Sequence, residues 1–166
     1  MNGVAPGGSD KKGILMKFSI GSDHHGLDLK TDILDQIAGK GHEIGDVGAH
    51  ASESVDYPDV AAIVGRQVSK GEVDRGILIC GTGIGMSIAA NKFAGVRAAV
   101  CHDVQSAELS RRHNDANVLC LSADQVATEA NQLIVAAWLD ADFDGGRHQR
   151  RVAKIQRLEQ PSDETS

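Results

Sequence analysis

Five apolar runs of strand type alternate with helix-type segments along this chain, and neither a hairpin turn nor an internal repeat interrupts the order. Alternation of this kind is typical of parallel sheets built from right-handed strand–helix–strand units, with helices on both faces. The sequence therefore predicts an α/β fold, a three-layer Rossmann-like domain with a five-stranded parallel sheet. The predicted strands cover residues 16–21, 42–48, 76–80, 96–101 and 117–121.

The 166 residues, 41% of them hydrophobic, suit a single domain, which we place at residues 16–158. Residues 1–15 are predicted to form a flexible arm and residues 159–166 a polar tail, because both segments have little to bury. The chain shows no apolar stretch near the roughly 20 residues that span a bilayer. It also shows no signal-type segment, so we expect a cytoplasmic protein without a membrane partner.

Charge and cysteine usage narrow the possible functions. The net charge of −6 disfavours binding to nucleic acid or to an anionic membrane. The three cysteines, Cys80, Cys101 and Cys120, are an odd number without the spacing of a metal site. This pattern favours reduced thiols over disulfides or zinc. No metal site is therefore expected.

The third predicted strand ends in Cys80, and a turn with glycine at alternate positions follows before a helix-type run begins at Met86. Glycines let the backbone approach an anion and supply unhindered N–H donors. Because Cys80 stands beside the start of the next helix, backbone dipoles favour its thiolate form. The turn is therefore predicted to hold an oxyanion and to present a base or nucleophile. A buried cysteine before an ordinary glycine-rich loop is the alternative.

The predicted topology places four further candidate residues. Asp23 and His24 follow the first strand, so they lie at the same sheet edge as Cys80. His113 and Asn114 precede the fifth strand and belong to the opposite edge of their own subunit. A dimer interface is one way in which they could still reach a Cys80 site. The alternative for His24 is that it is a loop histidine without a functional role.

A basic helix is predicted to follow the Gly-Gly pair at residues 145–146. Arg147 and Arg151 are four residues apart and share a face, an arrangement that binds phosphate through bidentate guanidinium contacts. A solvated basic face is the alternative. His25 and His102 receive no role and are interpreted as exposed or structural.

A dinucleotide site is a competing interpretation of the glycine turn. Gly81 and Gly83 open a helix after a strand, and Asp103 follows about twenty residues later, as in the dinucleotide fingerprint. Met86, however, occupies the third glycine position, and the turn follows the third strand rather than the first. We therefore expect no nicotinamide cofactor.

Taken together, five segments resemble the sugar-phosphate isomerase family that includes ribose-5-phosphate isomerase B and the galactose-6-phosphate isomerase subunits. The resemblance runs in order from about residue 16 to residue 158. The segments that carry it are residues 21–24 (GSDH), 56–59 (DYPD), 80–92 (CGTGIGMSIAANK), 110–118 (SRRHNDANV) and 145–149 (GGRHQ).

The resemblance implies a catalytic role for four side chains. Cys80 would be the base that moves a proton between C1 and C2 of the open-chain sugar. Thr82 and the backbone N–H groups of residues 81–87 would stabilise the cis-enediolate, as an oxyanion hole does. His113 would open the furanose ring, with Asp23 assisting.

The resemblance also implies a set of substrate contacts. His24, Arg147 and Arg151 would hold the phosphate, and Tyr57 and Asn114 would line the sugar. From the turn after the third strand, the implied contacts are Gly81, Gly83, Ile84, Gly85 and Ser87.

The function implied is an aldose–ketose isomerase that interconverts ribose 5-phosphate and ribulose 5-phosphate in the non-oxidative pentose phosphate pathway. A homodimer or tetramer with an active site shared between subunits is implied too, and no cofactor. Asp124 departs from the pattern, since many relatives carry there an arginine that helps bind the phosphate. A six-carbon substrate, allose 6-phosphate or galactose 6-phosphate, therefore stays open. A non-catalytic sugar-phosphate-binding module is the alternative from another class.

Overall fold

The computed structural model describes residues 13–160 and contains one parallel sheet of five strands in the order β2-β1-β3-β5-β4. β3 lies in the middle and pairs in parallel with β1 on one side and β5 on the other. The predicted α/β fold with five parallel strands is confirmed. The strands are β1 Lys17–Ser22, β2 Glu43–Asp46, β3 Arg75–Cys80, β4 Ala98–Val100 and β5 Val118–Ser122.

Within residues 13–160, six α-helices connect and follow these strands, and a short 3₁₀ helix, His24–Gly26, precedes the first of them. Pro58 stands in the first turn of α2, where its fixed φ suits a helix start. The helices are α1 Leu27–Gly39, α2 Tyr57–Ser69, α3 Ile84–Ala90, α4 Val104–Asn114, α5 Thr128–Asp140 and α6 Arg147–Arg157.

β4 is shorter than the predicted run of residues 96–101. At its start, the backbone N–H of Arg97 donates to the side chain of Asn117 (2.8 Å), and the guanidinium donates to the carbonyl of Asp115 (3.0 Å). The backbone N–H of Arg97 therefore bonds to a side chain and not to the backbone of the neighbouring strand. An apolar run therefore predicts too long a strand where a side chain, and not a neighbouring strand, forms the hydrogen bond with the backbone.

The core consists of two apolar clusters, one on each face of the sheet. α1 and α5 cover one face, and α2 and α3 cover the other. Side chains alternate between the faces along β3, so that Ile77 and Ile79 pack under α1 and α5 while Leu78 and Cys80 pack under α2 and α3. This alternation directs the Cys80 side chain toward the α2–α3 layer.

The carboxyl ends of β1, β3 and β5 are tied together by backbone hydrogen bonds. Asp23 N–H donates to the carbonyl of Ile79 (3.1 Å), and Ala123 N–H donates to the carbonyl of Cys80 (2.9 Å). The loops after these strands therefore surround the end of β3. In open α/β sheets this edge is where ligands bind.

The predicted arm and tail fall largely outside the described residues, which exclude 1–12 and 161–166. Residues 13–15 have no regular secondary structure, and Ile14 and Leu15 are exposed. The domain limits at residues 16 and 158 stay predictions. In the described part of the chain, none of the helices combines the length and the apolar character needed to cross a membrane.

Candidate active site

Cys80 is the last residue of β3, and it is buried, with 5% of its surface exposed. Its Sγ accepts a hydrogen bond from the backbone N–H of Gly83 (3.1 Å). Gly83 has a φ of +77°, a conformation that glycine adopts without steric cost, and this conformation turns its N–H back toward the sulfur. A donor aimed at Sγ stabilises negative charge on the sulfur.

A cavity of about 440 Å³ opens beside Cys80. It brings together residues from the loops after β1 and β3, from the start of α2 and from α3. Seven of the predicted site residues line it, and Gly83 lies in the same turn. The lining consists of Asp23, His25, Tyr57, Cys80, Gly81, Thr82, Ile84, Gly85 and Ile88. Cys80 is thus both part of a core cluster and accessible from this cavity.

Tyr57 lies against the turn because Gly85 has no side chain. A Cβ at Gly85 would lie 2.5 Å from the Tyr57 ring, which is far inside contact distance. Ser87, in contrast, does not line the cavity, and its hydroxyl donates to the carbonyl of Ala98 (3.3 Å). The structure therefore places Ser87 as a link between α3 and β4.

The two adjacent imidazoles after β1 lie in different surroundings. His25 lines the cavity, and its backbone N–H donates to the Asp23 carboxylate (2.9 Å). His24 does not line it, and its ring packs tilted against that of His25 at 4.4 Å between centroids. His25 has no predicted role, because the sequence of two neighbouring loop residues does not show which one points inward.

His102 is a second residue without a predicted role. It follows β4, and its Nε2 lies 2.9 Å from the carbonyl oxygen of Thr82. Protonated at Nε2, the ring donates to that carbonyl and holds the turn after β3 in place. The sequence carried no signal for this contact, which joins two loops.

His113, Asn114, Arg147 and Arg151 do not line the Cys80 cavity. The His113 ring stacks on the ring of His148, with 4.2 Å between centroids and 3° between planes. This stacking joins the start of α6 to the end of α4. Arg147 Nε lies 3.4 Å from His148 Nε2. We call His113, His148, Arg147 and Arg151 the second cluster.

Asp144 joins the second cluster, and its carboxylate accepts from Arg112 Nε (3.1 Å), a contact that lowers the pKa of Asp144. In residues 13–160, Asp144, His113 and His148 are the one group with ligand atoms close enough together, within 4.8 Å, for a metal ion. Arg112 already neutralises the carboxylate, and Arg147 adjoins an imidazole. The surplus of positive groups favours an anion here.

The matches to known proteins agree with this geometry. Residues 18–155 match the family described as Ribose/Galactose Isomerase. The chain belongs to this isomerase family. Ribose-5-phosphate isomerase B of Escherichia coli is 51% identical over 146 residues, which are 88% of this chain and 98% of that protein. D-erythrulose-4-phosphate isomerase of Pectobacterium atrosepticum is 43% identical, over 85% of this chain and 93% of that protein.

Solved structures of the isomerase family share the fold. Ribose-5-phosphate isomerase B of Clostridium thermocellum has a TM-score of 0.85 at 53% identity, covering 87% of this chain and 97% of that chain. The enzyme of Mycoplasma genitalium with bound ribulose 5-phosphate also has a TM-score of 0.85, at 45% identity, covering 88% and 97%. The predicted resemblance and the predicted enzyme class are confirmed.

The second cluster of this isomerase makes folding stability depend on pH. Burial, followed by the positive charges of His113, Arg147 and Arg151, lowers the pKa of His148 below its ordinary 6.5. Near and below pH 6.5 the unfolded chain therefore binds more protons than the folded chain, and the free energy of unfolding falls as the pH falls. We expect His148→Gln to flatten this part of the curve of Tm against pH, measured by thermal unfolding between about pH 8 and 5. His50→Gln, at an exposed imidazole, is the control, and equal flattening in both variants would contradict the assignment.

Proposed function

We propose that this chain interconverts ribose 5-phosphate and ribulose 5-phosphate through a cis-enediolate. The observation that carries the proposal is the Cys80 sulfur at the tip of β3, which faces a cavity and accepts from the Gly83 N–H at 3.1 Å. A relative of the same fold has ribulose 5-phosphate bound. A 1,2-proton shift needs one base and a stabilised oxyanion, and this turn supplies both.

Cys80 is the base in the proposed proton transfer. The thiolate removes the proton from C2 of the open-chain aldose, and the electron pair of that C–H bond forms the C1–C2 double bond while negative charge develops on O1. The Cys80 thiol then returns the proton to C1, and the proton on O2 passes to O1 as the C2 carbonyl forms, which leaves the ketose with a hydroxyl at C1 and restores the thiolate. Backbone N–H groups of the turn and the Thr82 hydroxyl stabilise the enediolate charge.

The remaining steps are assigned to the second cluster of a neighbouring subunit. His113 of the partner subunit opens the furanose ring, with Asp23 of this subunit assisting. The phosphate is held by Arg147 of the partner subunit, Arg151 of the partner subunit, and His24, while Tyr57 and the partner's Asn114 line the sugar. Within one subunit the second cluster does not line the Cys80 cavity, which supports a homodimer or tetramer with a shared site.

The surface around the cavity suits such an assembly. Ile84 and Ile88 of α3 are 49% and 59% exposed although they line the cavity, and Ile63 of α2 is 39% exposed. Burying such side chains against a second copy removes apolar area from water. A cytoplasmic enzyme of the non-oxidative pentose phosphate pathway is the cellular role we propose.

The number of carbon atoms in the sugar has a second candidate value. Asp124 lies at the sheet edge where the site is found. This acidic residue is the reason for a second candidate, a six-carbon substrate such as allose 6-phosphate or galactose 6-phosphate. One relative is named for a four-carbon substrate, D-erythrulose 4-phosphate. All of these reactions share the 1,2-proton shift.

Turnover of a substrate series tests the proposal. We expect the purified chain to convert ribose 5-phosphate with the highest kcat/KM, ahead of allose 6-phosphate, galactose 6-phosphate and erythrulose 4-phosphate. Treatment with a thiol-alkylating reagent should abolish the activity, and excess substrate should slow this inactivation. Absence of conversion across the whole series would overturn the proposal, and a preference for a hexose phosphate would replace it by the second candidate.

A further inference from the structure

A second cavity, of about 720 Å³, lies at the opposite end of the sheet from Cys80. Arg75 is the first residue of β3 and Cys80 the last, so five residue steps of a strand, about 16 Å, separate the two residues. We call this second cavity the Arg75 cavity. It is lined by Gly13, Ile14, Met16, Lys40, His42, Arg75, Leu139, Asp140 and Asp142.

The Arg75 guanidinium offers a hydrogen-bond donor that the protein does not use. Its Nη1 is shielded from solvent and has no hydrogen-bond partner within residues 13–160. Asp74 and Asp142 act on Arg75 through their charge and form no hydrogen bond with it. The Asp74 carboxylate accepts instead from the backbone N–H of Lys17 (2.7 Å).

Trp138 fixes the position of this guanidinium. The Arg75 Cζ lies 5.1 Å from the centroid of the Trp138 ring, and the Arg111 Cζ lies 5.8 Å from it. A guanidinium over an aromatic ring keeps the N–H donors at its edge for an acceptor. Arg111 is paired with Asp115 at 2.9 Å. Of these two arginines, Arg75 is therefore the one without a carboxylate partner among the described residues.

A positive charge at Arg75 is unfavourable without an anion beside it. Burial, followed by the positive charge of Arg111, lowers the pKa of Arg75 to about 10. At neutral pH the side chain is still protonated, because the pH lies well below this value. A bound anion offsets both effects, since opposite charge favours the protonated form.

The rest of the lining favours a monocarboxylate with an apolar body over a phosphate. Lys40 is already paired with Asp140 at 2.9 Å, and Asp142 adds negative charge, so a phosphate dianion is repelled more strongly than a single carboxylate. The two oxygens of a carboxylate match two N–H groups of a guanidinium. The apolar part of the lining comes from Ile14, Met16 and Leu139.

We propose that the Arg75 cavity binds a small organic monocarboxylate. The carboxylate pairs with the Arg75 guanidinium, and the apolar body of the ligand packs against Ile14 and Leu139. Within residues 13–160 this cavity and the Cys80 cavity have no lining residue in common, so the site is separate from the proposed isomerase reaction.

Tryptophan fluorescence tests the proposal, because Trp138 is the only tryptophan of the chain and lies under Arg75. We expect hexanoate to change this fluorescence in a saturable way, with a dissociation constant in the millimolar range that suits so small a ligand. Affinity should increase about two- to fourfold for each CH₂ from butyrate to hexanoate. 1-Hexanol should bind about tenfold more weakly than hexanoate, since the charged hydrogen bond is lost.

Three variants separate the guanidinium from its surroundings. Arg75→Gln should weaken hexanoate about tenfold or more, measured by calorimetry because the substitution also changes the surroundings of Trp138. Arg66→Gln is the matched control, since Arg66 also lies over an aromatic ring, that of Phe93 at 5.7 Å, but is exposed and outside the cavity. Asp142→Asn should tighten hexanoate about twofold, because a repelling charge is removed.

Turnover of ribose 5-phosphate should stay within about twofold in all three variants, because the substitutions are far from the Cys80 cavity. Absence of saturable hexanoate binding by both fluorescence and calorimetry would overturn the inference. Equal affinity in Arg75→Gln and the wild type would do the same. Equal binding of 1-hexanol and hexanoate, or tighter binding of inorganic phosphate than of hexanoate, would contradict carboxylate recognition. If Arg75→Gln does not fold, the ligand comparison and Asp142→Asn decide the same question.

Discussion

Cys80→Ala is expected to lower kcat for ribose 5-phosphate by about a thousandfold, since general acid–base catalysis by one group contributes roughly 10²–10⁴. The substitution removes the sulfur that we propose transfers the proton, while the N–H groups of the turn and the proposed phosphate contacts remain. KM, and the affinity for ribose 5-phosphate measured by calorimetry, should change by less than about fivefold, because those contacts supply binding in the ground state.

Cys120→Ala is the matched control for this variant. Cys120 is a fully buried cysteine of the neighbouring strand β5, and burial raises the pKa of its thiol well above the ordinary value. We expect the control to lose some thermal stability through the small cavity that it creates and to keep kcat within about twofold. A Cys80→Ala variant with wild-type turnover would show that the chain uses another base, and a wild type that binds ribose 5-phosphate without turnover would identify a binding module.

Mixing two inactive variants is expected to restore activity. If Cys80 works with His113 of the partner subunit, a dimer of one Cys80→Ala chain and one His113→Ala chain contains one intact site and one doubly impaired site. Random assembly of equal amounts makes half of the dimers mixed, so kcat per chain should reach about one quarter of the wild-type value. Each variant alone should stay at least about a hundredfold below wild type.

Co-expression of differently tagged chains, followed by purification through both tags, isolates the mixed dimer and removes the statistical dilution. This preparation should reach about half of the wild-type kcat per chain, since one of its two sites is intact. Mixing Cys80→Ala with Thr82→Ala is the control, because Cys80 and Thr82 line the same cavity of one subunit. Restored activity in the control but not in the first mixture would contradict the shared site.

The architecture and the Cys80 turn were predictable because they depend on local chemistry. A continuous apolar run defines β3 from sequence, and successive side chains of that run pack under the two helix layers on opposite faces of the sheet. Glycine at position 83 adopts a left-handed conformation that aims an N–H at the preceding cysteine. Such features depend on residues that are close together in the sequence.

Contacts between distant loops were not predictable in the same way. Asp124 departs from the family pattern and His25 has no predicted role, and nothing in the sequence indicates that the two side chains are in contact. The contact arises because the strand order places β1 and β5 on either side of β3, which brings both loops over Gly81. His102 reaches Thr82 for the same reason, through the packing of β4 beside β5.

The sequence by itself determined the class of fold, the position of Cys80 at the end of the third strand, and the family, since periodicity and consecutive motifs are properties of short stretches of chain. Only the tertiary structure decided which imidazole borders the cavity, that His113 stacks on His148, and that Asp124 rests on the backbone beside Cys80. These contacts depend on strand order and helix packing, which bring together residues that share no local pattern.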